Sequence, residues 1–224
     1  MTDLVGTTLG GYRILRQIGS GSLATVYEAY QPSLERYVAV KVLPSFLAED
    51  ESFAERFARE AKAIAELKHP NILPVYDSGE ENGIPYLVME YVPGGSLQAL
   101  TGRPLSPTYA VKVISQIADA LSYAHERGVI HGDVKPSNVL LPDENRVLLS
   151  DVGITNVVGG PSGEPTSGVF TPEYVAPEQG MGQGDRRSDI YSLGIILYEM
   201  LTGRPPFLAD TPVGVMLKHA SEPV

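Results

Sequence analysis

The chain of 224 residues contains no cysteine, which excludes a disulfide bond, a thiol nucleophile and a cysteine-ligated zinc site. Basic residues are scarce as well, since 17 Lys and Arg stand against 27 Asp and Glu and give a formal net charge of −10. A nucleic-acid-binding protein needs a basic surface to displace counterions from phosphates. The charge balance therefore argues against a nucleic-acid partner.

Sequence features of secreted and membrane proteins are also missing. Residues 1–4 lack the basic region and apolar core of a secretory signal. No apolar run approaches the roughly 20 residues that a membrane-spanning helix needs. With 43% hydrophobic and 20% charged residues, the composition is that of a globular protein. We therefore expect a soluble, cytoplasmic chain.

The first ninety residues alternate short strand-like runs with turns. Strands rich in aromatic and β-branched residues are predicted over residues 12–18, 25–30, 37–43, 72–76 and 86–90. One helix is predicted over residues 51–67, where apolar residues recur at helical spacing. These elements predict a five-stranded antiparallel sheet with one main helix, and the Pro-Gly-Gly run at 93–95 marks its end.

Helices dominate the rest of the chain. An amphipathic helix is predicted over residues 110–125, a more apolar one over 189–201 and a third helical stretch over 211–220. The order of strands followed by helices predicts an α+β fold with two lobes, residues 1–92 and 93–224.

Two polar motifs in the second lobe carry the chemistry. They read HGDVKPSN at residues 131–138 and DVG at 151–153. They supply an aspartate, a lysine, an asparagine and a second aspartate, which provide a base, a cation and two metal ligands for phosphoryl transfer. Carboxylate and amide oxygens suit Mg²⁺, which takes few protein ligands beside nucleotide phosphates. Asp and Asn also cap turns, but that alternative explains any one of the four and not all four in register.

Two further motifs lie in the first lobe. The run IGSGSLATV at residues 18–26 joins two predicted strands, and its glycines would let the backbone approach phosphate oxygens. Taken alone, this run is equally well an ordinary hairpin turn. A dinucleotide-binding fold would need the glycines between a strand and a helix, which this sequence does not offer. The run VAVK, residues 38–41, follows in the third predicted strand.

Together these motifs resemble the eukaryotic-type protein kinases, in particular the bacterial serine/threonine kinases, over essentially the whole chain. The resemblance implies transfer of the ATP γ-phosphate, with Mg²⁺, to Ser and Thr hydroxyls of proteins. Asp133 would accept or orient the hydroxyl proton, and Lys135 would steady the transferring phosphate. Asn138 and Asp151 would be the Mg²⁺ ligands.

The resemblance also assigns the nucleotide contacts. Lys41 would contact the α- and β-phosphates and would be oriented by Glu60, although a solvated surface pair worth about 0–1 kcal/mol is the alternative. The other nucleotide-binding positions are Ile18, Gly19, Ser20, Gly21, Ser22, Val26, Ala39, Glu90, Val92 and Leu140. Met89 resembles the gatekeeper. Core packing is the alternative for the apolar members, and both interpretations can hold together.

Three more matches extend the resemblance. Thr171 would lie beside the substrate residue, and Asp189 would support the backbone of the catalytic loop. The tripeptide at residues 176–178 resembles the end of the activation segment. Among the histidines, His131 is expected to pack, and the three others, His69, His125 and His219, are expected at turns or on the surface.

The chain departs from the family pattern at several positions. Ala24 replaces a common third glycine, and Val152 replaces the phenylalanine of Asp-Phe-Gly, which predicts a looser active arrangement. Gly132 replaces the arginine that clamps a phosphorylated loop, so we expect activity that does not depend on loop phosphorylation. Family members continue through more helices, which predicts a truncated C-terminus and leaves the Glu178 carboxylate unpaired, without its usual arginine partner. The alternative function is a pseudokinase that serves as a nucleotide-binding or protein-interaction scaffold.

Overall fold

The computed structural model describes residues 4–21, 24–45, 51–153 and 171–224. The chain divides into two units, one formed by Met1–Lys68 and Leu73–Val92 and the other by His69–Ile72 and Pro93–Val224. Within the described ranges, no helix combines the length and apolar character that crossing a bilayer requires.

The first unit is built on an antiparallel sheet of six strands in the order β1-β2-β3-β4-β6-β5. The strands are β1 Thr8–Leu9, β2 Tyr12–Ser20, β3 Thr25–Gln31, β4 Arg36–Val42, β5 Val75–Glu81 and β6 Ile84–Glu90. The predicted count of five was one too low, because Thr8 and Leu9 pair with Arg13 and Tyr12. A two-residue strand is too short to show an alternating pattern.

The position predicted for the fourth strand was also wrong. The prediction began at Ile72 and Leu73, which are buried apolar residues, but the strand starts at Val75, beyond Pro74. Ile72 instead forms an isolated parallel bridge with Leu149 of the second unit. The real strand is polar and largely exposed, as is common at the edge of a sheet.

Helix α1, Glu51–Ala65, packs against β5 and carries the predicted apolar stripe. Phe53 and Phe57 are buried and stacked, with ring centres 6.0 Å apart. On the sheet, alternate residues such as Ile14, Tyr27 and Val38 point into one apolar cluster. The period of two in the strands and the helical period in α1 thus place apolar side chains together.

The second unit is mainly helical, which confirms the α+β class. The α-helices among its described residues are α2 Pro107–Glu126, α3 Arg186–Thr202 and α4 Pro212–Ser221. Helix α2 starts before the predicted residue because Ser106 caps it, accepting a hydrogen bond from the Tyr109 amide, with Pro107 in the first turn. A short hairpin, β7 Val139–Leu140 and β8 Leu148–Leu149, lies beside α2.

Candidate active site

Three polar side chains of the loop between α2 and β7, those of Asp133, Lys135 and Asn138, lie together around the Asp133 carboxylate. Lys135 Nζ lies 2.7 Å from Asp133 Oδ2. Asn138 Nδ2 donates to the Asp133 carbonyl at 2.8 Å and to its carboxylate at 3.2 Å. Lys135 Nζ also donates to the Thr171 hydroxyl at 3.0 Å. The structure therefore brings together Asp133, Lys135 and Asn138, with Thr171 beside them.

The carboxyl of Asp133 lies in a desolvated position. Burial raises the pKa of Asp133, and the Lys135 ammonium offsets part of that increase by its charge and hydrogen bond. The nearby Asp151 carboxylate raises the Asp133 pKa a little further. A carboxyl with a raised pKa holds a proton more readily than one in water, which suits a group that must accept or orient a hydroxyl proton.

Asp189 on α3 holds the backbone of this loop. Its two oxygens accept hydrogen bonds from the amides of His131 at 2.9 Å and Gly132 at 2.8 Å. His125 Nε2 lies 2.7 Å from the same carboxylate. The sequence correctly placed Asp189 under the loop, but His125 is part of this buried network and is not a surface residue.

Gly132 fits this loop because of its backbone conformation. Its φ of 78° lies in the left-handed region, which glycine adopts without the steric cost of a Cβ atom. The Gln179 amide donates to the Gly132 carbonyl at 3.0 Å. Both polar groups of the Gly132 backbone thus have protein partners.

The two predicted metal ligands lie at the same end of the β7–β8 hairpin. Val139 pairs with Leu149, and the Ser150 amide donates to the Asn138 carbonyl at 2.8 Å. Asp151, the next residue, has a φ of 63°, an uncommon conformation for a residue with a side chain. Such a conformation costs on the order of 1–3 kcal/mol and is enriched at functional sites. Val152 is buried, with 2% of its surface exposed.

In the first unit, the glycine-containing run forms a hairpin between β2 and β3. Gly19 pairs with Val26, Ser20 with Thr25, and the Gly21 amide donates to the Ala24 carbonyl at 2.9 Å. The predicted position Ser22 lies outside the described residues.

The hairpin does not need its glycines for its own packing. A Cβ atom on Gly19 would come no closer than 3.7 Å to the described neighbours, and one on Gly21 no closer than 3.8 Å. Neither glycine is among the described residues with a positive φ. No left-handed backbone angle therefore requires these two glycines, whereas room for a close-lying ligand remains a sufficient reason for them.

Lys41 and Glu60 occupy the predicted strand and helix. Lys41 lies in β4 between Val26 and Leu87 and is 9% exposed. The Glu60 carboxylate on α1 lies 3.3 Å from Arg59 Nε. Arg59 is thus the ion-pair partner that the structure records for Glu60, and pairing of Glu60 with Lys41 stays a prediction.

The remaining predicted nucleotide-binding positions fall in both units. Ala39 pairs with Met89 across β4 and β6, and each is 5% exposed. Ile18 is 38% exposed, whereas Val26, Glu90, Val92 and Leu140 are of intermediate exposure. Leu140 belongs to the second unit, in β7 opposite Leu148. The Glu90 amide already donates to the Pro74 carbonyl at 3.0 Å.

One pair beside the site was not predicted. The Tyr174 hydroxyl donates to Glu199 on α3 at 2.7 Å, and both residues are buried. Burial raises the pKa of both groups, and the hydrogen bond from Tyr174 lowers that of Glu199 again in part. The sequence does contain one sign of this pair, because a glutamate lies within the apolar run of residues 189–201. A carboxylate buried there needs a partner.

The structure also corrects the expectation for Glu178. Its carboxylate accepts a hydrogen bond from the Ser188 hydroxyl at 2.6 Å. Ser188 is the third residue of α3 and forms a capping box with Asp185. The start of α3 therefore gives Glu178 a partner within the chain itself.

Comparison with known proteins places this geometry in a family. Residues 12–222 match the model of the protein kinase domain. A Streptomyces coelicolor protein named probable serine/threonine-protein kinase is 45% identical over 96% of this chain and 33% of its own length. PrkC of Bacillus subtilis is 41% identical over 96% of the chain and 34% of its own length. The chain thus spans about a third of the length of the curated relatives it matches.

Solved structures agree in fold. The crystal structure of the PknI kinase domain of Mycobacterium tuberculosis has a TM-score of 0.73 and 33% sequence identity. The match covers 94% of this chain and 81% of that one. The α+β fold is therefore the protein-kinase fold, and the chain belongs to the protein kinase family.

Proposed function

We propose that the protein is a serine/threonine kinase that transfers the γ-phosphate of ATP to Ser and Thr hydroxyls of proteins. The observation that supports this most directly is the arrangement of Lys135, whose ammonium bridges the Asp133 carboxylate and the Thr171 hydroxyl. The cation thus lies within hydrogen-bonding distance of both the base and a hydroxyl-bearing residue. Relatives at 41–45% identity are named serine/threonine-protein kinases.

In this mechanism Asp133 orients the substrate hydroxyl and accepts its proton. The raised pKa makes the Asp133 carboxyl a better proton acceptor than one in water. Lys135 holds that carboxylate in place and presents a positive charge where negative charge develops on the reacting group. The loop is preorganised for this task, because Asp189 and Gln179 fix its backbone before any substrate arrives.

The residues present fit a Mg²⁺ ion. The Asn138 amide nitrogen is committed to Asp133, so its oxygen is the atom left to bind a cation. Asp151 would supply the second ligand. Among the described residues no group of three or more His, Cys, Asp and Glu could hold a metal ion, so nucleotide phosphates and water would complete the coordination, as is usual for Mg²⁺. When bound, Mg²⁺-ATP supplies the phosphoryl group and neutralises part of its charge.

The first unit offers the features that an ATP phosphate chain and base need. The space beside Gly19 and Gly21 lets a phosphate approach the backbone. Lys41 supplies a positive charge on the neighbouring strand. An adenine edge would meet the Glu90 carbonyl, since the Glu90 amide is already bonded. Gly132 has no side chain to bind a phosphate, which supports activity without phosphorylation of the loop.

The test is transfer of labelled γ-phosphate to a generic basic protein, with Mg²⁺, by the chain and by its Asp133→Asn form. We expect transfer by the wild-type chain and a loss of at least about 100-fold in the variant, the range of general-base catalysis. Equal circular dichroism spectra and equal ATP binding of the two forms are the control. ATP binding without transfer by the wild type would overturn the proposal and favour the scaffold function.

A further inference from the structure

His219, on α4, is a buried group that the proposed mechanism does not use. It is 6% exposed, although the sequence suggested a surface position. Its Nδ1 lies 2.7 Å from the Tyr191 hydroxyl on α3. Its ring meets Phe207 edge-on, with ring centres 4.9 Å apart. Helix α4 packs against the 3₁₀ turn Pro172–Tyr174, which we call the 172–174 turn.

The protonation of His219 follows from these contacts. Burial lowers the pKa of the imidazole, and the nearby backbone of Glu173 and Pro172 and the Glu173 charge offset part of this. The ring is therefore neutral at pH 7. The Tyr191 hydroxyl can donate to Nδ1 or accept from it; we assign it as the donor, which puts the single ring proton on Nε2. Within the described ranges, that buried Nε2 makes no hydrogen bond of normal length and angle, although the Glu173 and Pro172 backbone lies close enough to raise the imidazole pKa as hydrogen-bond acceptors do.

A buried donor without an acceptor is uncommon and costs stability. The groups near the ring that could accept from Nε2 are the backbone carbonyls of Pro172 and Glu173. The 172–174 turn is held on both sides of these carbonyls. Thr171, just before it, accepts from Lys135 at 3.0 Å, and the Tyr174 carbonyl accepts from Ser192 at 2.7 Å.

We propose that His219 is a positioning residue whose Nε2–H donates to the Pro172 or Glu173 carbonyl through a small closure of α4 on the 172–174 turn. This hydrogen bond keeps Thr171 within reach of Lys135 and so fixes the surface on which a protein substrate lies. The substrate effect rests on the proposed kinase function, whereas the hydrogen bond itself does not.

Two matched variants test the inference. In His219→Gln the side-chain amide reaches the place of Nε2 and can still donate to the turn. In His219→Asn it reaches only the place of Nδ1. His69→Leu removes another histidine of the same unit, one that accepts from the Asn71 amide and packs against the Tyr123 ring at a tilt. It therefore controls for general loss of stability.

Hydrogen exchange decides the inference without relying on activity. The amides of Tyr174 and Val175 donate to the carbonyls of Thr171 and Pro172, so their exchange reports opening of the turn. We expect exchange about threefold to tenfold faster in His219→Asn, the effect of losing one net hydrogen bond. The wild type, His219→Gln and His69→Leu should exchange alike. Equal rates in all four proteins would overturn the inference.

Steady-state kinetics with a generic basic protein adds the functional part. We expect KM for that protein to rise about threefold to tenfold in His219→Asn, with KM for ATP unchanged and with rescue by His219→Gln. A purely structural loss would lower the active fraction and leave both KM values unchanged, which would contradict the positioning role. If the wild type transfers no phosphate, the proposed function fails, and hydrogen exchange alone decides the role of His219.

Discussion

The catalytic loop of the second unit and the glycine hairpin of the first are built in opposite ways. In the catalytic loop, hydrogen bonds within the unit occupy the His131 amide, both backbone groups of Gly132 and the Asp133 carbonyl. In the hairpin, Gly19 and Gly21 leave space that the described residues do not use. The geometry of this loop is thus a property of the fold, whereas the packing of the hairpin does not explain its two glycines.

The largest expected effect tests whether hydrogen bonds within the fold hold the catalytic loop. Asp189→Ala removes a buried carboxylate, 1% exposed, that serves the His131 and Gly132 amides and His125. We expect a loss of about 3–5 kcal/mol in the free energy of unfolding, because buried partners are left unpaired. Urea-induced unfolding at pH 7 measures it.

The matched control for Asp189 is another carboxylate of the same helix. Asp185 caps α3 and its side chain is 42% exposed, so Asp185→Ala removes an exposed helix cap and should cost clearly less than Asp189→Ala. A cost for Asp189→Ala no greater than that of Asp185→Ala would show that Asp189 does not hold the loop.

The second effect concerns the pair beside the loop. Tyr174→Phe removes the donor to the buried Glu199 carboxylate, and we expect a cost of about 1–3 kcal/mol at pH 7. Burial already raises the pKa of Glu199 above its ordinary value of 4.5, and losing the Tyr174 hydrogen bond raises it further. Unfolding curves at several pH values measure both effects.

The sign of this pH dependence is fixed by linkage. A carboxyl whose pKa is raised on folding contributes its full stability below pH 4.5 and loses it as the pH rises through the folded pKa. The difference in stability between wild type and Tyr174→Phe should therefore be larger at pH 7 than at pH 4. Tyr37→Phe, at a position 57% exposed, is the control and should change neither value. An equal Tyr174→Phe cost at both pH values would contradict the argument.

Sequence reasoning succeeded where the determinants are local. The periods of two and of 3.6 residues predicted the strands around Ile14 and Val38 and the stripe on α1. The motif at residues 131–138 predicts that Asp133, Lys135 and Asn138 lie close together, and the structure has them in contact. These residues lie close in sequence, so their spacing constrains their geometry.

Sequence reasoning failed for contacts between residues that are far apart in the sequence. His125 meets Asp189 across 64 positions, and Tyr191 meets His219 across 28. A histidine among apolar residues gives no sign of which carboxylate or hydroxyl the fold will bring to it. The short strand β1 was missed because its pairing, and not its own pattern, makes it a strand.

The third effect probes the backbone of the catalytic loop. Gly132→Ala places a Cβ atom on a residue with φ of 78°, and the left-handed conformation costs a residue with a side chain about 1–2 kcal/mol. We expect a loss of that size in urea unfolding. A loss below about 0.5 kcal/mol would mean that the loop relaxes to a negative φ without losing its contacts to Asp189 and Gln179.

The smallest expected effect on stability concerns the glycine hairpin. It tests most directly whether the hairpin glycines serve a ligand and not the fold. Gly19→Ala adds a methyl group that meets the described neighbours at ordinary contact distances and needs no positive φ. The unfolding free energy should be unchanged or rise by about 0.4–1 kcal/mol, since alanine restricts the unfolded chain. ATP binding, measured by titration calorimetry, should nevertheless weaken severalfold if a phosphate lies against Gly19. Equal ATP affinity would show that the space beside Gly19 is not where the phosphates bind. Gly132→Ala thus measures what a glycine contributes to the stability of the fold, and Gly19→Ala measures what a glycine contributes to ATP binding.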